Sequence, residues 1–215
     1  MDGRAETQTF LQSLEALANE AEPDGLSLHD VFDQLNERAF GAALFVLALP
    51  CAIPFLYLVP QIVSLPMMAL TLQMLAGREE PWLPERFGKR RIDKAGLTRM
   101  AQFGRKWFGW LERFSRPRLT WLTGHRSERI IALFLTVFCA SILIPLPLTN
   151  TTPGIAVAIA CFGLMSRDGL MLILGLTIGS LWVSLLLFGV IFFGTVIFES
   201  GTREFLGMLF DGGAS

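Results

Sequence analysis

The side chains able to do chemistry in this chain gather at two kinds of place. One is the run Pro145-Leu-Pro147-Leu-Thr149-Asn150-Thr151-Thr152-Pro153-Gly154, the most polar point in an otherwise oily stretch, with a counterpart near Pro50, Pro54, Pro60, Gln61 and Ser64. The other is a set of arginines at the ends of the same oily stretches: Arg38, Arg78, Arg129 and Arg167. Amides, hydroxyls and guanidinium groups of this kind bind anions. A proline in the first turn of a helix leaves unpaired N–H groups beside it, and helix starts with free amides receive negative charge. If Pro60 and Pro153 each open a helix, the amides near 61–63 and 154–156 are left free. Two such starts facing each other would form a small electropositive pocket. The alternative for these polar residues is plain backbone satisfaction at a kink. For the arginines it is anchoring and pairing with neighbouring acids.

Other chemistries find no support. The two histidines, His29 and His125, lie in charged segments, and the apolar regions contain no Asp or Glu. There is no HExxH, Gly-rich phosphate loop, GxSxG or pair of deep acids. Cys51, Cys139 and Cys161 show no close metal-ligand spacing and read as small buried hydrophobes. The expectation is no catalytic residue, no metal and no cofactor. Proton coupling is weakened by the same lack of buried acids.

The elements that must position these residues are unusually apolar. The chain has 215 residues, 52% hydrophobic with 18 Phe, and a mean hydropathy of +0.50. Most of this lies in 39–76, 130–165 and 170–198. The last is uncharged and well over the ~18 residues that suggest a membrane span. The first two share an order of features. Each begins at Glu-Arg (Glu37-Arg38, Glu128-Arg129), then shows a proline pair (Pro50 and Pro54; Pro145 and Pro147). A further proline follows (Pro60; Pro153), and each closes on Arg beside an acid (Arg78-Glu79; Arg167-Asp168). That order predicts an internal repeat. The uninterrupted arms, 39–49, 61–76, 130–144 and 154–165, would be about 16–24 Å long, short of the ~30 Å hydrocarbon core. Broken backbone at that depth survives only where protein or a wet cavity covers it. The expected architecture is therefore an all-α integral membrane protein. It comprises two proline-broken helical hairpin repeats, re-entrant or crossing, a long C-terminal membrane helix and amphipathic interfacial helices.

Charge is partitioned along the chain. Residues 1–38 carry nine acids and two arginines. Residues 77–129 carry fourteen basic and six acidic residues, which places that connection in the cytoplasm. The N-terminus lacks the uncharged core of a signal peptide. Ser27 and Asp30 have capping-box spacing ahead of Leu28, Val31, Phe32 and Leu35, an amphipathic helix pattern. A weaker one holds Phe10, Leu11, Leu14 and Leu17. In 97–122, Met100, Phe103, Trp107, Trp110, Leu111 and Phe114 form one face, suited to the headgroup layer or to the protein's own surface. Its position favours anionic lipid over nucleic acid. Gly175-x-x-x-Gly179 and Ser180-x-x-x-Ser184 permit close helix approach, to the hairpins or to a second copy in a homodimer. A helix over 170–198 would be about 43 Å long, so it must tilt, emerge or break near Gly189.

The segments are an N-terminal acidic segment 1–26, a first hairpin 27–84, a basic connector 85–127, a second hairpin 128–169, a membrane helix 170–198 and a tail 199–215. The runs RAFGAALFVLALPCAIPF, GREEPWLPERF, SRPRL and IPLPLTNTTPGIAVAIACFGLMSRDGL resemble the ExoD family of bacterial exopolysaccharide synthesis membrane proteins, over about Leu26 to Phe198. The resemblance implies a multi-pass bacterial inner-membrane protein linked to exopolysaccharide production. It carries over no catalytic residue, and the first 25 residues lie outside it. Two functions fit. One is a transporter or flippase of an anionic lipid or lipid-linked saccharide intermediate. The other is a non-transporting scaffold or regulator that docks partners through the acidic N-terminus. Membrane lipids are the expected partners in both.

Overall fold

The computed structural model describes residues 26–35, 38–54, 58–78, 80–82, 91–92, 117–144 and 150–211, with positions 56, 94, 96, 98 and 102; over 193–211 it describes the helical path alone. Pro145, Pro147, Thr149, the first N-terminal helix and most of the 97–122 amphipathic stretch lie outside the described residues.

The regular structure of the described residues is helical apart from a two-residue antiparallel pairing of β1 (Leu26–Ser27) with β2 (Arg91–Ile92) and a single parallel bridge between Arg118 and Asp168. Helix α1 (Leu28–Leu35) starts as its sequence predicts. The Asp30 amide donates to Ser27 Oγ (3.1 Å), and the Ser27 amide donates back to Asp30 Oδ2 (3.0 Å). Two orphan amides are satisfied reciprocally by this capping box. Leu35 is buried and Phe32 packs against the core.

Four arms follow: α2 (Ala39–Cys51), α3 (Val59–Leu75), α4 (His125–Ile142) and α5 (Thr151–Met165). Helix α2 packs on α5, and α3 on α4. The α2–α5 contact is close because small residues line it. Gly41 lies against Met165 and Cys161, and Gly154 lies against Cys51. These two pairs make α2 and α5 antiparallel, with the start of one beside the end of the other. Buried Ala39, Ala48, Ala158 and Ala160 continue the small-residue interior.

Helix α6 (Gly169–Asp211) turns straight back along α5. Gly163 lies against Leu172, and Gly175 against Ala160 and Ala156. Gly179 abuts the ring of Phe138 on α4. The Gly175–Gly179 pattern is thus used to seat α6 on the hairpins. The helix does not break at Gly189 and does not end at 198; it continues to Asp211. Glycine inside a helix costs about 1 kcal/mol, too little to end one with apolar residues on both sides. Its stretch Gly169–Phe192 is the one described helix both long and apolar enough to cross a membrane, and only 17% of its most apolar window is buried. A core helix of a soluble protein would be mostly covered. The outward faces of the arms are equally oily, with Val46, Ile62, Leu65, Leu72, Leu133 and Val137 exposed.

The prolines act in two ways. Pro50 sits one residue before the end of α2. Pro60 and Pro153 both fall in the first turn of their helices and are both buried. Pro66, by contrast, lies inside α3 and does not end it.

Candidate functional site

The broken ends of the hairpins meet, with Cys51 between them. A Cβ on Gly154, in the first turn of α5, would come within 2.6 Å of the Cys51 carbonyl carbon. On the other side, the Cys51 thiol lies 3.9 Å from the Pro60 carbonyl oxygen, in the first turn of α3. The same thiol is 3.7 Å from the Leu47 carbonyl oxygen. Cys51 therefore fills the space between the two helix starts.

The amides expected to be free there are partly engaged. Each helix starts before its proline, so the Ile62 amide already donates to the Leu58 carbonyl (3.1 Å) and the Gly154 amide to the Asn150 carbonyl (3.0 Å). Ser64 is fully buried, and its hydroxyl donates to the Gln61 carbonyl (2.8 Å), as Thr71, Thr136 and Ser141 do to their own helices. Ser64 thus follows the backbone-satisfaction alternative. Gln61 differs: its Oε1 is buried and has no hydrogen-bond partner. Asn150 is buried, Thr151 and Thr152 are half-buried, and Pro54 is exposed on the turn after α2. Leu58, just before α3, has φ 66 and ψ −41, near the strained γ-turn conformation, and its side chain is 72% exposed.

The other ends of all four arms gather at one face. Arg38, Phe40 and Gly41 from the start of α2, Met74 from the end of α3, Glu128 from the start of α4 and Leu164 and Arg167 from the end of α5 line one cavity with Thr123. Its volume is about 20 Å³, room for about one water. Arg38 and Arg167, which sequence reasoning set at the ends of different hairpins, are thereby brought together. Arg129 lies elsewhere on this face, its guanidinium covering Gly77 just past the end of α3. A cation there complements the helix C-terminus. Arg78 is exposed beside it. Glu128 and Thr123 joined the cavity without a sequence signal singling them out as site residues.

Helices α3 and α5 end in the same way. In α3 the Arg78 amide donates to the Gln73 carbonyl (3.2 Å) and the Gly77 amide to the Met74 carbonyl (3.0 Å). In α5 the Asp168 amide donates to the Gly163 carbonyl (2.8 Å) and the Arg167 amide to the Leu164 carbonyl (3.3 Å). Both are Schellman caps, which need one left-handed residue. That residue is Gly77 (φ 82) in one and Arg167 (φ 51) in the other. By cap position Arg167 therefore corresponds to Gly77 and not to Arg78, a shift of one from the correspondence drawn on the arginines alone.

Asp168 is 2% exposed, and its Oδ1 accepts from the amides of Leu170 (3.0 Å) and Met171 (3.4 Å), capping α6. The Gly169 amide donates to the Arg118 carbonyl (2.7 Å), and a Cβ at Gly169 would strike Leu119. The end of the connector is thus pinned beneath the α5–α6 turn. Arg-Asp-Gly at 167–169 is accounted for residue by residue as cap, cap and close approach.

The family model described as "Exopolysaccharide synthesis, ExoD" matches residues 10–188. The match begins at residue 10 and not near Leu26, so it takes in much of the N-terminal segment. The chain is 31% identical to an uncharacterized protein of Synechocystis sp. over 196 residues, covering 87% of this chain and 90% of that one. It is 32% identical to Protein ExoD of Rhizobium meliloti over 152 residues, covering 68% of this chain and 62% of that one. No solved structure matches.

Proposed function

Because the chain belongs to the ExoD family, and so to exopolysaccharide synthesis, we propose that it handles an anionic lipid or lipid-linked saccharide intermediate of that process in the bacterial inner membrane. In this reading the hairpins α2–α3 and α4–α5 are repeats that re-enter from the cytoplasmic face. They transport or flip the lipid without catalysis or a cofactor.

Depth supports re-entry. The α5–α6 contacts at Gly163–Leu172 and Gly175–Ala160, and the α4–α6 contact at Phe138–Gly179, put the hairpin tips at Ile142 and Thr151 level with about residue 183. The uncharged apolar stretch of α6 runs on to Phe198. At 1.5 Å per residue the tips stop about 22 Å below its end. Repetition is supported by the matching Schellman caps and the matching first-turn prolines.

The observation that carries lipid handling is the meeting of Arg38 and Arg167 at one cavity on the face where the basic connector also ends. Guanidinium groups are suited to phosphate, and basic clusters at the cytoplasmic leaflet attract anionic headgroups. Arg78 and Arg129 extend the same face. The test is transbilayer movement of a fluorescent lipid phosphate in proteoliposomes. Wild type should accelerate it and the double variant Arg38→Gln, Arg167→Gln should not; equal rates for both would remove the reading.

A second reading, the non-transporting scaffold, is favoured by the tight Cys51–Gly154 contact, which leaves no opening between those residues. It predicts no lipid movement in proteoliposomes, and loss of a co-purifying polysaccharide-synthesis protein when residues 1–25 are deleted. In this second reading a homodimer contact falls to Ser180 and Ser184. They lie on an open groove with Phe134 and Leu181, whereas Gly175 and Gly179 are used within the monomer.

A further inference from the structure

Arg167 stands where the equivalent turn of the first hairpin uses glycine. Both positions are left-handed, with φ 82 at Gly77 and φ 51 at Arg167. A side chain there is disfavoured for every L-residue without a local compensation. Strain of this kind points to a use for the side chain. That side chain lines the arm-end cavity, together with Arg38 from the first hairpin and Glu128 from the second. The lining thus holds two arginines and one glutamate, one positive charge in excess. All three are half-buried, and each already has an interaction partner.

The cavity has room for about one water, not for a phosphate. Glu128 nevertheless supplies the acceptor oxygens that a phosphate would bring. It lies in the first turn of α4, where a carboxylate is stabilised by the free amides and dipole of its own helix. It can therefore leave the cavity without losing all compensation.

We propose that Glu128 is a resident stand-in for the ligand anion: a phosphate monoester displaces its carboxylate from the cavity that Arg38 and Arg167 also line. This rests on the lipid-handling reading and names the site and the exchange through which the headgroup enters. No bond is made or broken; one anion replaces another.

The test uses the full-length protein in phosphatidylcholine nanodiscs, titrated with farnesyl monophosphate, inorganic phosphate or farnesol. Removing the competing carboxylate with Glu128→Gln is expected to tighten farnesyl monophosphate about tenfold, the scale of one charge-assisted contact. Arg38→Gln and Arg167→Gly are each expected to weaken it about tenfold or more, and farnesol should not bind at the site. Arg167→Gly is the decisive variant, because it relieves the left-handed backbone and should leave thermal stability equal or higher while affinity falls. Unchanged or weaker binding by Glu128→Gln, or wild-type binding by Arg167→Gly, would overturn the exchange. Inorganic phosphate binding as tightly as farnesyl monophosphate, with the same response to Glu128→Gln, would support the exchange and assign the ligand as free phosphate. A protein that shows the exchange but moves no lipid keeps this inference and loses transport; one that moves lipid with Glu128→Gln affinity unchanged does the reverse.

Discussion

Gly154 and Cys51 touch backbone to backbone. A Cβ on Gly154 would fall 2.6 Å from the Cys51 carbonyl carbon and 2.8 Å from its oxygen. One hairpin's helix start is therefore seated on the other hairpin's helix end, and the neighbour cannot yield as a flexible side chain would. Gly154→Ala is expected to destabilise the protein by about 1–3 kcal/mol, the usual cost of overpacking. Gly189, with nothing within 4 Å, is the control. Gly189→Ala should be neutral or stabilising by up to about 1 kcal/mol through helix propensity. Thermal unfolding of both variants in one detergent checks the pair. Equal effects would mean that the hairpins do not meet there.

Asp168 offers a second measurement. Its Oδ1 accepts from two amides at the start of α6 while the residue is almost fully buried. Asp168→Ala should cost about 1 kcal/mol, the usual worth of an N-cap, and Asp168→Asn less, because an amide oxygen still accepts. Thermal melts in detergent would separate the two. If Asp168→Asn proved as damaging as Asp168→Ala, charge and not the cap would be holding the turn.

Several local features could be read from the sequence because local chemistry determines them. Ser27 and Asp30 form the box their spacing predicts, and Pro60 and Pro153 fall in first turns because their rings fit nowhere else as well. Other features depend on what lies across the fold. The one-residue shift between Arg78 and Arg167 is invisible in the letters, because a Schellman cap is recognised by backbone hydrogen bonds and usually by glycine, which the second hairpin lacks. Gly41 and Gly163 carry no signal among their apolar neighbours, and Gly154 stands out only for its amide beside Pro153; their packing roles appear only where Met165, Cys51 and Leu172 come against them. At the site, the arginines stood out by type and position. Glu128 did not, because its place beside Arg38 and Arg167 follows from two hairpins packing and not from spacing.

Gln73 clamps the chain after α3. The Trp82 amide donates to Gln73 Oε1 (2.6 Å), and Gln73 Nε2 donates to the Trp82 carbonyl (3.2 Å). The indole itself is 58% exposed, as suits a tryptophan placed at a membrane interface. Gln73→Ala should release the segment while changing global stability by no more than about 1–2 kcal/mol, since both bonds are exposed. Hydrogen exchange by mass spectrometry should show faster exchange at the Trp82 amide with α3 unaffected. Unchanged exchange would show that something other than Gln73 holds the segment.

Leu58 tests the depth of the hairpins. It lies at the first break, its side chain 72% exposed and facing away from the protein. In water such a position is reactive once made cysteine; in hydrocarbon it is not, because a thiolate is expensive there. With Cys51, Cys139 and Cys161 replaced by alanine, Leu58→Cys should resist a membrane-impermeant maleimide from both sides in oriented vesicles. Glu80→Cys, exposed beyond α3, should label from the cytoplasmic side alone. The difference follows from tips that stop about 22 Å short of Phe198, the end of the α6 apolar stretch. Labelling of Leu58→Cys from the periplasmic side would mean that the hairpins cross, and re-entry would have to be abandoned. Labelling from the cytoplasmic side would mean that the break opens to water between the arms, a result the close Cys51–Gly154 contact argues against.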